Sequence, residues 1–166
     1  MSQLSLSLDS LLLVRDDQGR YLPATADQIL EAARYVIDQK IPGGTLFTSP
    51  ALVKDYLRTK LANFEHEVFA VLFLDSQNRL IEYVEMFRGT IDQASVYPRE
   101  VVKTALHHNA AAVIFSHNHP SGNSEPSQAD KLLTQRLKET LALVDVRTLD
   151  HIVVGGEATT SFAERG

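Results

Sequence analysis

Two histidines one residue apart, His117 and His119, close an apolar run, and Asp130 follows across "PSGNSEPSQAD". Side chains alternate along a strand, so His117 and His119 project from one face, about 6–7 Å apart. A loop containing Pro120, Gly122 and Pro126 can fold back and start the next helix near the strand end. Asp130 then supplies a carboxylate beside the two imidazoles. Zinc held by three such ligands keeps a fourth position open for water, the arrangement of catalysis rather than of structural support. The chain has no cysteine, so disulfides, thiolate catalysis and Cys-ligated zinc are excluded, and any metal must be held by His and carboxylate.

The same residues also have a local role. Ser127 and Asp130 carry the spacing of a helix N-cap with an acid in the first turn, which would fix both side chains where the chemistry needs them. Ser116 and Asn118 flank the ligand histidines and point to the opposite face, as supporting or packing residues. Gly122 suits a turn that other residues cannot adopt. His107 and His108 sit near a helix C-terminus, where histidines meet the last carbonyls. His66 and His151 read as structural or exposed.

The elements that must position these residues follow from the pattern. "SLLLVRD" and "RYLPA" flank the turn "DDQG" as a short hairpin. "TADQ" is a capping box, Thr25 to Gln28, opening the helix "DQILEAARYVIDQK", and "IPGG" at 41–44 stops it. A first unit over 1–44 and a second over 45–166 are expected. The second opens with the helix in "TSPALVKDYLRTKLA", Ser49 as N-cap and Pro50 at the first helical position. "EVFAVLFLD" reads as a strand covered on both faces, followed by the strand "LIEYVEMF", the helix "YPREVVKTALHHNA" and the buried strand "AAVIFSH". The longest helix, "SQADKLLTQRLKETLALV", precedes the strand "TLDHIVVGG" and a terminal strand "ATTSFAER". The order α-β-β-α-β-α-β-β predicts an α+β fold, a mixed sheet flanked by helices.

"HNHPSGNSEPSQAD" resembles the JAMM (MPN+) metalloprotease motif, H-x-H-x10-D with a serine three before the aspartate. Its form H-N-H-P-S-G-x-x-x-P-S-x-x-D is similar to the bacterial RadC family. The likeness runs from about Thr48 to the C-terminus, roughly 120 residues by the motif limits, through "LDSQNRLI", "GTIDQASVYPREVVKTALHHNAAAVIFSHNHPSG" and "DHIVVGG". It implies a JAB/MPN, cytidine deaminase-like architecture. Longer members of that family carry an N-terminal helix-hairpin-helix region, and residues 1–44 show no such glycine hairpins. The chain resembles the short RadC-like proteins of mobile elements.

The resemblance implies a zinc metallohydrolase of JAMM type acting on a peptide or isopeptide bond. JAMM enzymes use a glutamate on an upstream core strand, and Glu67 matches that position, with Glu65 as runner-up and Glu82 and Glu85 fitting less well. Glu67 is then the general base, and Ser127 donates a hydrogen bond to the developing oxyanion. A carboxylate opening an apolar strand needs a partner, since a buried charge is costly alone.

Composition frames the partners. The net charge of −5 gives no overall basic footprint for duplex DNA. The RadC likeness nevertheless keeps open a DNA repair or recombination role, with a metal site acting on or near nucleic acid. A third alternative is a metal that only supports the fold. The apolar stretch at 11–14 is too short for a signal peptide, and no run approaches 18 apolar residues. A cytoplasmic protein with a peptide or protein substrate, and no membrane partner, is the expectation.

Overall fold

The computed structural model describes residues 12–40, 44, 46–47, 49–89 and 95–166, so the start of "SLLLVRD", most of "IPGG" and residues 90–94 lie outside the described residues. The chain divides into two compact units, Met1–Lys40 and Ile41–Gly166.

In the first unit, β1 (Leu13–Arg15) pairs antiparallel with β2 (Tyr21–Pro23). The turn between them is held by Asp16, whose carboxylate accepts from the amides of Gln18 and Arg20. Thr25 and Gln28 form the expected capping box: each side chain accepts from the other's backbone amide. It opens α1 (Ala26–Lys40).

In the second unit, α2 (Pro50–Leu61) begins with Ser49 accepting from the Leu52 amide and with proline at the first turn. There follow β3 (Val68–Leu74), β4 (Leu80–Arg88), α3 (Pro98–His107), β5 (Ala112–Asn118), α4 (Gln128–Ala142), β6 (Arg147–Gly155), β7 (Ala158–Ser161) and a four-residue α5 (Phe162–Arg165). The sheet order is β4-β3-β5-β6-β7, with β5 parallel to β6 and every other pairing antiparallel. This is an α+β fold with a five-stranded mixed sheet flanked by helices, consistent with a JAB/MPN fold. Among the described residues no helix is long and apolar enough to cross a membrane.

Two features of the sheet place the site. Every residue of β3 and of β5 is buried, as the continuous apolar runs require of strands covered on both faces. On one face, Phe69, Val71 and Phe73 of β3 and Val113 and Phe115 of β5 pack with Val101 and Ala105 of α3 and Leu137 and Leu141 of α4. Burying a Phe or Leu side chain in this way stabilises the fold by about 1.5–3 kcal/mol. The stripe Val113, Phe115, His117 continues that face, and so does the helical stripe Leu141, Leu137, Thr134, Asp130. Both elements therefore run from an apolar core end to a polar end, and the polar ends meet.

The terminal segment departs from the sequence reading. "ATTSFAER" is not one strand: β7 stops at Ser161, whose hydroxyl oxygen accepts from the Glu164 amide and caps α5. The Asp150 carboxylate accepts from both Ser161 Oγ and the Ala163 amide, which turns the chain back onto β6.

Candidate metal centre

His117 stands at the end of β5, opposite Phe69 of β3 and Val153 of β6. Its ring is 1% exposed as part of the residue and lies nearly parallel to the Phe69 ring. His119 lies just beyond β5, and its amide donates to the Val154 carbonyl at 2.8 Å, extending the strand-like path. That bond keeps the alternation that puts both imidazoles on one side. The chain then turns at Gly122, φ +84°, whose amide donates to the His119 carbonyl. This is the left-handed geometry expected of that glycine.

The loop is pressed onto the end of β6. A Cβ at Gly155 would lie 2.4 Å from the Ser124 nitrogen and 2.5 Å from the Asn123 carbonyl carbon. Only glycine permits that approach. It sets the Asn123 carbonyl 2.7 Å from His119 Nδ1. A carbonyl cannot donate, so His119 carries its hydrogen on Nδ1 and turns Nε2 toward the site.

Asp130 arrives from α4. Ser127 Oγ accepts from the Asp130 amide at 3.0 Å, and Asp130 Oδ2 accepts from the Ser127 amide at 2.8 Å. This reciprocal box fixes the carboxylate at the mouth of the helix. Asp130 Oδ2 is 3.1 Å from His119 Nε2, Asp130 Oδ1 is 3.3 Å from His117 Nε2, and the two Nε2 atoms are 3.0 Å apart. His117, His119 and Asp130 thus offer three ligand atoms within reach of one cation. The donor set is one carboxylate and two imidazole nitrogens facing one another, an arrangement that a shared cation relieves, and it suits zinc chemistry without thiolate.

The electrostatics agree with that geometry. Burial on its own would raise the Asp130 carboxyl, but the His117 and His119 side chains beside it outweigh burial and hold it well below the usual carboxylate range. The hydrogen bond to Asp130 raises His119, against an opposing effect of burial, and the charge of Glu67 adds to the rise.

Glu67 is half-buried and directly precedes β3, whereas Glu65 is exposed in a bend two residues earlier. β3 begins only at Val68, so both glutamates precede it and strand alternation does not govern Glu65. The Gly89 amide donates to the Glu67 carbonyl at 2.9 Å, anchoring the segment to the end of β4. Glu82 and Glu85 lie on β4.

The residues between and beyond the ligands carry more than packing. Asn118 Oδ1 accepts from the Val68 amide, and Asn118 Nδ2 donates to the His66 carbonyl at 3.0 Å. Ser116 Oγ donates to the Ile152 carbonyl at 2.7 Å, locking β5 to β6. Of the two alternatives the sequence leaves for His151, structural or exposed, the structure shows the first. His151 is fully buried, with Nε2 2.7 Å from His117 Nδ1 and Nδ1 2.5 Å from Thr134 Oγ1. Phe162 stacks on its ring, while Phe69 and Phe115 meet it edge-on.

The elements that build this centre coincide with a family match. A profile described as the RadC-like JAB domain matches residues 47–166. A UPF0758 protein of Vibrio cholerae is 61% identical over 139 residues, covering 84% of this chain and 87% of the relative. A UPF0758 protein of Cellvibrio japonicus is 64% identical over 138 residues, 83% of this chain, and the matched stretch spans only 62% of that longer relative. A relative of Leptothrix cholodnii, also a UPF0758 protein, is 61% identical with the same coverage. The profile spans every ligand, the capping box and the β3–β6 scaffold, and the chain belongs to the RadC family.

Proposed function

We propose that this RadC family protein is a zinc-dependent hydrolase that cleaves a peptide or isopeptide bond. The observation that carries this reading is the convergence of His117, His119 and Asp130 on one point. Bound there, zinc would supply an acidified water and Lewis-acid polarisation of the substrate carbonyl. His117 and His119 would hold it through Nε2 and Asp130 through its carboxylate.

The remaining roles fall to the chain's own groups. Glu67 accepts the proton of the attacking water and passes it to the leaving amine. Its half-buried setting suits a base better than the exposed setting of Glu65. Ser127 Oγ spends a lone pair on the Asp130 amide, which leaves its hydroxyl hydrogen to donate to the oxyanion of the tetrahedral intermediate. Donors of this kind are worth about 3–4 kcal/mol.

The test is a panel of peptide and isopeptide substrates offered to the purified full chain. Cleavage that stops on chelation and returns with one equivalent of zinc supports the reading. Stoichiometric zinc with no cleavage of any amide substrate would leave a metal that supports the fold. A metal-dependent cut of nucleic acid would move the activity to phosphodiesters.

A further inference from the structure

Asp130 and His117 are joined by a second route that avoids their ligand atoms. It runs from the Asp130 carbonyl to Thr134, from Thr134 to His151, and from His151 to His117. We infer that Thr134 and His151 form a hydrogen-bond chain of fixed direction that selects the His117 tautomer with a bare Nε2, making both of them positioning residues of the centre. The inference rests on the metal reading only for what that bare nitrogen serves.

The direction follows from counting hydrogens. The Asp130 carbonyl oxygen can only accept, and Thr134 Oγ1 lies 2.7 Å from it, so the single hydroxyl hydrogen is spent there. The 2.5 Å contact between Thr134 Oγ1 and His151 Nδ1 then needs a hydrogen from His151. His151 is completely buried with Phe69, Phe115 and Phe162 packed against its ring, a setting that disfavours a charged imidazolium. A neutral imidazole has one hydrogen, so His151 Nε2 can only accept. His117 Nδ1, 2.7 Å away, must donate. His117 Nε2 is left with its lone pair turned to His119 and Asp130. The opposite direction would leave Thr134 Oγ1 and the Asp130 carbonyl oxygen 2.7 Å apart with no hydrogen between them.

The arrangement makes the two histidine ligands equivalent by different means. His119 is set by the Asn123 carbonyl, a group from its own loop. His117 is buried between strands and receives its setting from α4 through two side chains. Because the chain starts at the carbonyl of Asp130, the helix that delivers the carboxylate also orients the imidazole. Partners behind a ligating imidazole typically change metal affinity by 10–100-fold.

The experiment uses the full chain, metal-free, with 15N-labelled histidine, at alkaline pH. Long-range proton–nitrogen correlations report which ring nitrogen carries hydrogen. The wild type is expected to show the hydrogen on Nδ1 of both His117 and His151. Thr134→Val keeps the shape but removes the acceptor at His151 Nδ1. It is expected to move both hydrogens to Nε2 and to weaken zinc binding about 10–100-fold, while Thr134→Ser retains the wild-type tautomers and affinity. A wild-type His117 with its hydrogen on Nε2, or a folded Thr134→Val with unchanged tautomers, overturns the inference. If Thr134→Val does not fold, the wild-type spectrum decides. Failure of the wild type to bind zinc would defeat the metal reading instead, and the tautomers of the metal-free protein would still decide this one.

Discussion

The side chain of Asn118 accepts a hydrogen bond from the backbone amide of Val68 at 2.7 Å. Asn118 lies between the two candidate histidine ligands, and Val68 directly follows Glu67. The Asn118 side chain therefore ties the Glu67 segment to the strand that carries the candidate ligands. Its amide nitrogen completes the clasp on the His66 carbonyl.

Asn118→Ala leaves the buried Val68 amide without its partner, a loss of about 1–3 kcal/mol. The expected result is a lower melting temperature and a reduced kcat on any substrate the wild type cleaves, with zinc content close to one per chain. Zinc loss equal to that of a ligand variant would mean that Asn118 supports β5 rather than the Glu67 segment.

Gly155→Ala tests how the loop sets His119. The added Cβ would stand 2.4 Å from the Ser124 nitrogen and 2.8 Å from the Gly122 carbonyl oxygen, all backbone, so the loop must move. Overpacking of this kind costs about 1–3 kcal/mol. The Asn123 carbonyl should withdraw from His119 Nδ1, and zinc titration should show weaker binding along with the lower melting temperature. Unchanged affinity would separate the loop from the ligand's orientation.

Zinc affinity should fall as the pH is lowered. His119 must be neutral to ligate, and its hydrogen bond to Asp130, reinforced by the charge of Glu67, raises its pKa. Protons therefore begin to compete at a higher pH than for an ordinary histidine, near 6.5. Removing the Glu67 charge in Glu67→Gln should move the acid limb of the affinity profile to lower pH, measured by competition with a chelating dye. An acid limb unmoved by that substitution would place Glu67 too far away to act on the site.

Much of this centre was legible in local spacing. Period-two alternation places His117 and His119 together, and the Ser127–Asp130 capping interval delivers the carboxylate. The same patterns located the strands and helices of the second unit. The meeting of His151 with His117 was not legible, because it depends on the parallel pairing of β5 and β6, a register between segments 34 residues apart. A signal existed all the same: a histidine inside the apolar strand "DHIVVGG" must find a buried partner. Thr134, one helical turn from Asp130 and in line with Leu137 and Leu141, was the matching clue. The four-residue α5 is too short to show a helical period, and it is set by Ser161 and Asp150 rather than by its own pattern.

Glu67 and Glu65 offer the sharpest division of roles. Glu67 sits half-buried where the chain enters β3, tied by its carbonyl to the Gly89 amide and by the next residue to Asn118. Glu65 is exposed in the preceding bend. A general base benefits from a partly dry setting and from a backbone that does not move. Glu67→Gln keeps the size and hydrogen-bonding reach of the side chain but removes the base. It is expected to retain one zinc per chain and to lower kcat by about 10²–10⁴. Glu65→Gln, in solvent and outside the strand, should leave both zinc content and kcat within about twofold, as exposed substitutions away from such features do. Metal analysis and steady-state rates on the same preparations separate the cases. Normal turnover by Glu67→Gln would remove it as the base, and a large loss in Glu65→Gln instead would mean that the bend closes onto the site when substrate binds.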